Sequence, residues 1–500
     1  MDLLMLSFIS IIFLFLLLKF VRKLSSPRNL PPGPPKLPLV GSLLHMSGLP
    51  HHTMKNLASK YGPLMHVQLG QVSAVVISSP EVAKQVLNIH DVAFASRPSI
   101  LATRIITYNH QDFAFAPYGS YWRQMRKMAT LELLSSKKVR SFSTIRDEEV
   151  HNMVESVHYS SLGSKSVNLT EKIFAVISSI VGRSLLGDKC KDQDAFVKLI
   201  NDVINLGSGF DLVDLFPSFT FLNLVTGNKA KLEKMHKSLD KIFDRIIEDH
   251  ILKKENAATG QIGTEDLVDV LLRLKENDGF EFPITNINIK AVILDLFMAG
   301  TDSSSATIEW AMSELIRHPR VMEKAQAELR RTLKGKKVIE DSDRKDFHYL
   351  KLVIKEVLRM HPPVAFLLPR ECIEETQING YTIPIKTKVL VNVWAMGRDP
   401  QHWKDPDSFY PERFENCVGY DFSGSNYEYL PFGAGRRSCP GITFGLADVE
   451  HPLAGLLYHF NWSLPDGIKS ENINMAEIFG ASVKRRDALR VIAKRQTFSV

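Results

Sequence analysis

The most extensive pattern in the chain is a helical spacing of apolar residues. Apolar side chains recur at three- and four-residue intervals in most of the segments YWRQMRKMATLELL, EDLVDVLLRLKEN, SSATIEWAMSELIRH, VMEKAQAELRRTL and YLKLVIKEVLRM. This spacing places the apolar residues on one helix face and predicts amphipathic helices. Residues 63–79 and 381–395 each predict two β-strands instead. We therefore predict a mainly α fold with small β-sheets, as one large helical domain with a minor β-rich lobe.

A continuous apolar run opens the chain. Residues 3–18 contain thirteen Leu, Ile or Phe and no charged residue. Each of these favours bilayer insertion by about 0.3–0.6 kcal/mol. Extended to Val21, the run forms a helix of about 28 Å, close to the thickness of the hydrocarbon core. A cleaved signal peptide is the alternative, but only Asp2 precedes the run and no small-residue cleavage site precedes Lys19. We expect a single transmembrane helix within an anchor at residues 1–23.

The residues after the apolar run set its orientation and the domain boundaries. Lys19, Arg22, Lys23 and Arg28 follow the span, so the positive-inside rule keeps the remaining chain on the cytosolic side. The segment LPPGPPKLP then excludes helix and predicts a stiff, proline-rich hinge over residues 24–38. No sequence repeat is evident after it. Residues 39–500 are therefore expected to form one folded domain.

Composition and charge restrict the function only loosely. The chain has 500 residues, a formal net charge of +7 and four widely separated cysteines. Their spacing indicates neither a disulfide framework nor a structural zinc site. The mild positive charge fits a protein that binds nucleic acid or a protein that lies at an anionic membrane. The apolar N-terminus favours the membrane protein, so we expect no nucleic-acid partner.

The segment PFGAGRRSCPGITFG at residues 431–445 is the main candidate for chemistry. Pro440 and the apolar spacing after Gly441 predict a helix that starts directly after Cys439. A helix N-terminus lowers the pKa of a thiol, so Cys439 could be a nucleophile, a redox centre or an axial metal ligand. The glycines permit a close approach to a large flat group, and Arg436 and Arg437 match carboxylates. A buried structural cysteine is the alternative.

This segment resembles the haem-binding signature F-x-x-G-x-R-x-C-x-G of the cytochrome P-450 family of haem-thiolate monooxygenases. The matching residues are Phe432, Gly435, Arg437, Cys439 and Gly441. The resemblance implies the cytochrome P-450 fold, with haem b as cofactor. It makes Cys439 the iron ligand and pairs Arg437 with a haem propionate. Thiolate ligation favours O–O bond cleavage, which oxygen activation requires.

Two further motifs carry the resemblance. The family's E-x-x-R pattern matches Glu356 and Arg359, which the resemblance joins to Arg413 of PERF in order to brace the cysteine loop. Helical periodicity alone places this pair away from the apolar face and indicates a solvated ion pair instead. The family's W-x-x-x-R pattern matches Trp122 and Arg126.

Those two residues have a structural alternative as well. Trp122 and Arg126 share one helix face and are, taken alone, an anchoring aromatic on an exposed basic face. The resemblance makes both of them propionate contacts, and it adds Arg370 of LLPRE as another.

Residues 289–312 are apolar nearly all round before Gly300, Thr301, Asp302 and three serines interrupt them. Such a helix is buried, and polar residues inside it are costly unless they serve a purpose. Two separate helices, broken at Gly300, are the alternative. The family pattern A/G-G-x-D/E-T-T/S makes Asp302 and Ser303 the catalytic pair, which relays protons during oxygen activation beside a helix bulge. Ser303 departs from the usual Thr, which puts tight coupling in doubt.

The resemblance extends over the whole chain. It is closest to plant microsomal members, in segments such as FASRP, YGSYWRQMRK and NVWAMGRDP, and among those to terpenoid hydroxylases. It implies a largely apolar substrate pocket, with no charged residue that commits it to a charged ligand, lined by residues that include Leu294, Met298, Ala299, Val364, Leu368 and Phe479.

The resemblance also implies partners and location. The chain has no dinucleotide-binding or flavin segment of its own, so electrons from NADPH would come through a separate flavoprotein reductase. Lys127, Lys137, Lys138 and Arg140 are a basic docking face for it or an ordinary solvated face. We expect an oxidoreductase in the endoplasmic reticulum membrane that uses O₂ to hydroxylate an apolar plant metabolite, which the resemblance places in terpenoid biosynthesis.

Three alternatives stay open from the sequence. The substrate could be a phenolic compound or an alkaloid. The protein could be a haem-thiolate isomerase or dehydratase that needs no O₂, or a non-catalytic haem-binding membrane protein. The intact segment from Gly300 to Ser303 argues against the last two.

Overall fold

The computed structural model describes residue 10 and residues 29–187, 193–206, 211–256, 265–277, 279–415 and 419–498. The predicted anchor, apart from Ser10, lies outside these residues. Within the described ranges, no helix has the length and apolar character needed to cross a bilayer.

Helices make up most of the described chain, as predicted. In chain order they are α1 (Pro50–Tyr61), α2 (Pro80–Lys84), α3 (Leu101–Ile106), α4 (Ser120–Met128), α5 (Ser136–Ser141), α6 (Ser143–Ser160), α7 (Leu169–Leu186), α8 (Gln193–Leu206), α9 (Leu212–Leu215), α10 (Leu222–Thr226), α11 (Asn228–Asn256), α12 (Leu267–Lys275), α13 (Asn286–Arg317), α14 (Pro319–Leu333), α15 (His348–Met360), α16 (Val393–Met396) and α17 (Ile442–His459).

The long helix α13 runs through the middle of the apolar core. A capping box starts it, because the Thr285 hydroxyl accepts from the amide of Asn288 while the Asn288 side chain accepts from the amide of Thr285. It packs against α7, α17 and α15. The helix stays α-helical through Gly300, so the alternative of two helices is wrong, and the bulge implied by the resemblance does not interrupt it. Packing on all sides supports the helix where glycine and the serines weaken its propensity.

The strands form four small sheets. They are β1 (Leu64–Leu69), β2 (Val72–Ile77), β3 (Val167–Asn168), β4 (Arg370–Glu371), β5 (Thr376–Ile378), β6 (Tyr381–Ile383), β7 (Lys388–Val391), β8 (Phe460–Ser463), β9 (Glu477–Ile478), β10 (Lys484–Arg485) and β11 (Arg490–Arg495). Their orders are β1-β2-β7-β4, β5-β6, β3-β11-β8 and β9-β10. β2 and β7 are parallel, with Val75 opposite Val389, and the other pairs are antiparallel.

Both predicted strand pairs are present. Residues 63–79 form the hairpin β1-β2 around Gly70. Residues 381–395 form β6 and β7, but the end of this stretch is the short helix α16. The side chain of Asn392 accepts a hydrogen bond from the amide of Ala395 at 3.1 Å and thereby caps α16. An Asn that caps a helix ends the strand that precedes it.

The described part of the proline-rich hinge packs onto the β-rich lobe. Pro31 and Pro34 are buried. The amide of His66 donates to the carbonyl of Pro32 at 2.8 Å, and the amide of Thr382 donates to the carbonyl of Asn29 at 2.7 Å. Over residues 29–38 the segment is therefore part of the folded body.

Candidate active site

A cavity of about 480 Å³ lies between α13, the segment before α17 and the loops near residues 97–115, 363–370 and 479–483. Cys439 lines it, and so do Asp302 and Ser303 of α13. The two motifs with the clearest catalytic chemistry, which are 136 residues apart in the chain, therefore line one cavity.

The backbone of the cysteine loop is folded by its own hydrogen bonds. The amide of Cys439 donates to the carbonyl of Phe432 at 2.9 Å. Gly435 has a φ of +69°, and a Cβ at this position would lie 2.0 Å from the carbonyl oxygen of Leu87. Glycine is therefore required at 435 for contact with the protein's own backbone. Gly435 does not line the cavity, whereas Gly433 does. Phe432 and Gly441 do line the cavity.

Asp91 fastens the loop to the rest of the protein, a role that the sequence did not indicate. Its carboxylate accepts from the amide of Arg436 at 2.8 Å and from the guanidinium of Arg370 at 2.8 Å. Arg370 also donates to the carbonyl of Ala434 at 2.8 Å. Arg370, for which the resemblance implies a propionate contact, thus has an anionic partner in the protein itself.

Cys439 precedes α17 by three residues, with Gly441 as the N-cap, close to the predicted position. Burial raises the pKa of the Cys439 thiol in the polypeptide itself, whereas the amide of Gly441 and the charge of Arg126 act to lower that pKa. The expected lowering by the helix terminus is present but is outweighed, because desolvation of a thiolate is the larger effect here. A thiolate at this position therefore requires a cationic partner.

Trp122 and Arg126 of α4 are buried or half-buried, so the alternative of an exposed basic face is wrong. The indole of Trp122 donates to the carbonyl of Phe113 at 3.1 Å, and Arg126 donates to the carbonyl of Ser438 at 2.6 Å. The guanidinium of Arg437 lies 4.3 Å from the centre of the Trp122 ring. Trp122, Arg126 and Arg437 all line the cavity beside Cys439.

Arg97, in the segment FASRP, joins these residues and was not assigned a role from the sequence. It donates to the carbonyls of Ala114 at 3.1 Å and Pro369 at 2.9 Å. Among the described residues, no carboxylate lies within ion-pair distance of Arg97, Arg126 or Arg437. Their buried charges repel one another, and none of the three is neutralised by the protein.

The pKa values of these three arginines are all lowered, in agreement with the lack of a carboxylate partner. Burial lowers the pKa of Arg437 to about 9, and the nearby positive charge of Arg370 contributes. Burial lowers the pKa of Arg97 well below its usual range, again with neighbouring arginines contributing. Burial also lowers the pKa of Arg126. A ligand with negative charges at this end of the cavity would reverse all three effects.

Glu356, Arg359 and Arg413 meet in one buried network. Arg359 binds both carboxylate oxygens of Glu356, each at 2.8 Å, and Arg413 donates to Glu356 at 3.0 Å. Both Glu356 and Arg359 are fully buried, so the alternative of a solvated ion pair is wrong. Tyr429, two residues before the cysteine loop at 431–445, donates to the carbonyl of Lys355 at 2.9 Å. Because Lys355 adjoins Glu356 in the chain, this hydrogen bond places the network next to the cysteine loop.

The polar residues of α13 have specific partners. Asp302 is buried and forms an ion pair with Lys484 of β10, a partner that the sequence did not indicate. The hydroxyl of Ser303 donates to the carbonyl of Ala299 at 2.7 Å, one helical turn earlier. Such bonds are common for serine within helices. Both side chains are in place at the cavity.

The predicted pocket residues largely line the cavity. Met298, Ala299, Val364, Leu368 and Phe479 do so. Leu294 does not, because its side chain packs in the main apolar core.

Two further charged side chains, Asp295 and Lys388, line the cavity. Asp295 accepts from the amides of Phe113 and Ala114 at 3.0 and 3.1 Å and so ties the 113–115 segment to α13. Burial and the nearby carboxyl of Asp112 raise the pKa of Asp295 well above its usual range. Lys388 of β7 is the second, and burial lowers its pKa.

Comparison with known proteins agrees with this geometry. A family model described as cytochrome P-450 matches residues 31–488. The chain is 55% identical to premnaspirodiene oxygenase of Hyoscyamus muticus over 97% of both chains. It is 52% identical to 5-epiaristolochene 1,3-dihydroxylase of Nicotiana tabacum over 96% of both. A solved zebrafish cytochrome P-450 with progesterone shares the fold, with a TM-score of 0.77 at 24% identity over 90% of this chain and 100% of that one. The chain therefore belongs to the cytochrome P-450 family, and it is a cytochrome P-450 monooxygenase.

Proposed function

We propose that this monooxygenase uses O₂ and electrons from NADPH to hydroxylate an apolar terpenoid of sesquiterpene size. The observation that carries the proposal is the single cavity that Cys439, Asp302 and Ser303 all line. The family implies haem b as the cofactor. Bound there, haem supplies the binding and activation of dioxygen.

The residues around the cavity fit haem. The group is flat and carries two carboxylates, and Arg97, Arg126 and Arg437 are cavity-lining guanidinium groups without a carboxylate partner among the described residues. Guanidinium forks match carboxylates in shape and charge. Cys439 would hold the iron. Trp122 would stand beside the propionates, since its ring already stacks with Arg437. Arg370 could contribute from its position on Asp91.

Asp302 and Ser303 are proposed to manage protons. The carboxylate of Asp302 is held by Lys484, and the hydroxyl of Ser303 is held by the carbonyl of Ala299. The proposed role requires each group to exchange its partner by a side-chain rotation. A positioned acid and hydroxyl contribute typically 10²–10⁴-fold to a proton-dependent rate.

The substrate assignment rests on the pocket and on the relatives. Met298, Ala299, Val364, Leu368 and Phe479 present apolar surface. Two relatives that share more than half of their residues with this chain are named for premnaspirodiene and 5-epiaristolochene. An apolar hydrocarbon would be held mainly by shape and by the burial of its surface.

Electrons are proposed to arrive from a separate NADPH-dependent flavoprotein reductase. Lys127, Lys137 and Arg140 are exposed on and after α4, the helix that contacts the cysteine loop through Arg126. Lys138 is less available, because it donates to the carbonyl of Glu265 at 2.5 Å. The residues before 29 are proposed to anchor the enzyme in the endoplasmic reticulum membrane with its catalytic domain in the cytosol. This proposal follows from the apolar run at 3–18.

The test is a reduced, carbon-monoxide-bound difference spectrum of full-length protein in microsomes. Wild type is expected to give the family's long-wavelength Soret band, and Cys439→Ala is expected to lose it. The same microsomes, supplied with reductase and NADPH, are then screened with sesquiterpene hydrocarbons, phenolics and alkaloids. Hydroxylated sesquiterpenes support the assignment. Turnover of only a phenolic or alkaloid would overturn the substrate, turnover that is independent of O₂ would overturn the reaction, and an absent Soret band would overturn thiolate-bound haem.

A further inference from the structure

Two adjacent histidines at the start of α1 converge on one carboxylate outside the cavity. The Nε2 atoms of His51 and His52 lie 2.8 and 2.9 Å from the same oxygen, Oε2 of Glu477 in β9. The three atoms all lie within 4.8 Å of one another. Residues 51 and 477 are far apart in the chain, so the fold itself brings this donor set together.

The two imidazoles are held in place by aromatic contacts. The His52 ring stacks on Trp394 with the ring centres 4.1 Å apart. The His51 ring meets the edge of the same indole at 4.9 Å and stacks with Phe479 at 5.8 Å. A cation site requires ligands whose orientation is fixed by their surroundings, and these rings have little freedom to turn.

Burial gives the site two enclosed ligands and one accessible ligand. The side chain of His51 is 0% exposed and that of Glu477 is 8% exposed. The side chain of His52 is 44% exposed. The cluster is therefore accessible to solvent at His52 and enclosed at His51 and Glu477.

Two imidazole nitrogens and one carboxylate oxygen are a donor set that suits Zn²⁺. In tetrahedral coordination the ligand atoms around zinc lie about 3.3 Å apart. The two measured separations would have to widen by about 0.5 Å, through small shifts of both imidazoles and of the Glu477 carboxylate. We propose that His51, His52 and Glu477 form a binding site for one Zn²⁺ ion, with solvent in the fourth position.

Charged groups of both signs surround the donor set. Glu477 is 3.9 Å from His361 Nδ1, and the other nitrogen of His361 lies 2.6 Å from Glu314. The guanidinium of Arg398 and the ammonium of Lys55 lie 4.1 and 5.5 Å from the ring of Trp394, on which His52 stacks. Glu477 is therefore the carboxylate that would balance the charge of a bound cation.

Zinc at this position would connect α1 to the wall of the active-site cavity. Glu477 is two residues before Phe479, which lines that cavity and contacts His51. Occupancy of the site would therefore hold the 477–479 segment against α1. The expected consequence is a zinc-dependent rise in thermal stability that does not require the proposed catalytic function.

The test is zinc binding to the full-length haem protein, purified with a histidine-free affinity tag and treated with EDTA. Zinc chloride is titrated by calorimetry, and bound zinc is counted by mass spectrometry after gel filtration. Wild type is expected to bind one zinc per chain. His52→Ala and Glu477→Gln are expected to weaken binding by at least about tenfold. His348→Ala, which changes an exposed histidine elsewhere, is the matched control and should bind as wild type does.

Each outcome decides the proposal. Calcium chloride should not bind, because two of the three ligands are nitrogen. If wild type binds no stoichiometric zinc, or binds it as tightly after His52→Ala, the cluster is a hydrogen-bonded structural contact only and the proposal fails. If Glu477→Gln does not fold, His52→Ala decides alone, since His52 is accessible to solvent.

Discussion

Lys484 of β10 is the charged partner of Asp302 in the middle of α13. Asp302 is only 4% exposed, so its carboxylate depends on this cation for compensation. Lys484 follows directly after residues 479–483, which line the cavity. The acid proposed to supply protons is thus held by a strand that is continuous with the substrate pocket.

Replacement of either partner should affect coupling between electron use and product. Asp302→Asn is expected to lower product formation on the order of 10²-fold, because a carboxamide is neither an effective acid nor an effective base near neutral pH. Lys484→Met is expected to lower it less, since the carboxylate remains but loses its fixed position. Product and NADPH consumption are measured together in reconstituted membranes, with Lys494→Met on the exposed side of β11 as the control. Full turnover by Asp302→Asn, with normal haem content, would contradict the assigned role.

Ser303 offers a second measure of coupling. Its hydroxyl bonds to the carbonyl of Ala299, a contact that threonine can also make. Ser303→Thr keeps the hydroxyl and restricts its rotation, so we expect a larger fraction of NADPH to appear as hydroxylated product. Ser303→Ala should reduce that fraction. The ratio of product to NADPH is the measurement. If all three proteins give the same ratio, the hydroxyl at 303 has no part in proton delivery.

The sequence indicated the elements better than it indicated their contacts. Apolar spacing predicted the helices, and the hairpin around Gly70 is where the pattern placed it. Periodicity failed for Glu356 and Arg359, because a helix can bury its polar face against another polar segment and not only against apolar side chains. Gly435 lies in the cysteine loop as predicted, but the group that requires glycine at this position is the carbonyl of Leu87. A contact between residues so distant in the chain leaves no trace in local spacing.

The buried pair of Glu356 and Arg359 should be far more important for stability than a surface pair. Arg359→Ala leaves the carboxylate of Glu356 buried with only Arg413 and one amide as partners. The expected loss is about 3–5 kcal/mol of unfolding free energy, with poor yield of haem-loaded protein. The control is Arg320→Ala, which breaks the exposed contact to Glu412 at 2.8 Å and should cost no more than about 1 kcal/mol. Similar losses from both variants would show that burial does not set the cost.

Arg97 should be required for retention of the cofactor. Its guanidinium is buried, lines the cavity and has no carboxylate partner among the described residues. We expect Arg97→Leu to accelerate haem loss to a haem-scavenging protein by at least about tenfold, since one charge-assisted bond is worth roughly 1.5–3 kcal/mol. Arg123→Leu, on the exposed face of α4, is the control. Equal rates of loss for both variants would show that Arg97 has only a structural role.

The partners that the sequence analysis missed differ in whether the local sequence contains any signal of their role. Asp91, Arg97 and Lys484 were missed as partners because each acts on a residue more than a hundred positions away. Arg97 did leave a signal, since it stands within the segment FASRP that carried the resemblance. For Asp91 and Lys484, only the fold supplies the proximity.

The buried carboxyl of Asp448 in α17 should make stability depend on pH. Burial raises the pKa of Asp448 to about 7, while Arg146, 3.9 Å away, acts to lower that pKa. Between about pH 4 and 7 the folded protein therefore keeps a proton that the unfolded chain has lost. This stabilising contribution is present at low pH and disappears as the pH rises through 7.

Asp448→Asn removes that contribution and isolates it from the other titrating groups. Relative to wild type, the variant should gain roughly 2–3 kcal/mol of unfolding free energy between pH 5 and pH 8. Urea unfolding of both proteins at several pH values gives the difference directly. Asp202→Asn, at an exposed position of α8, should show a constant difference from wild type. A constant difference for Asp448→Asn as well would mean that Asp448 is ionised in the folded protein at pH 5, with Arg146 outweighing burial.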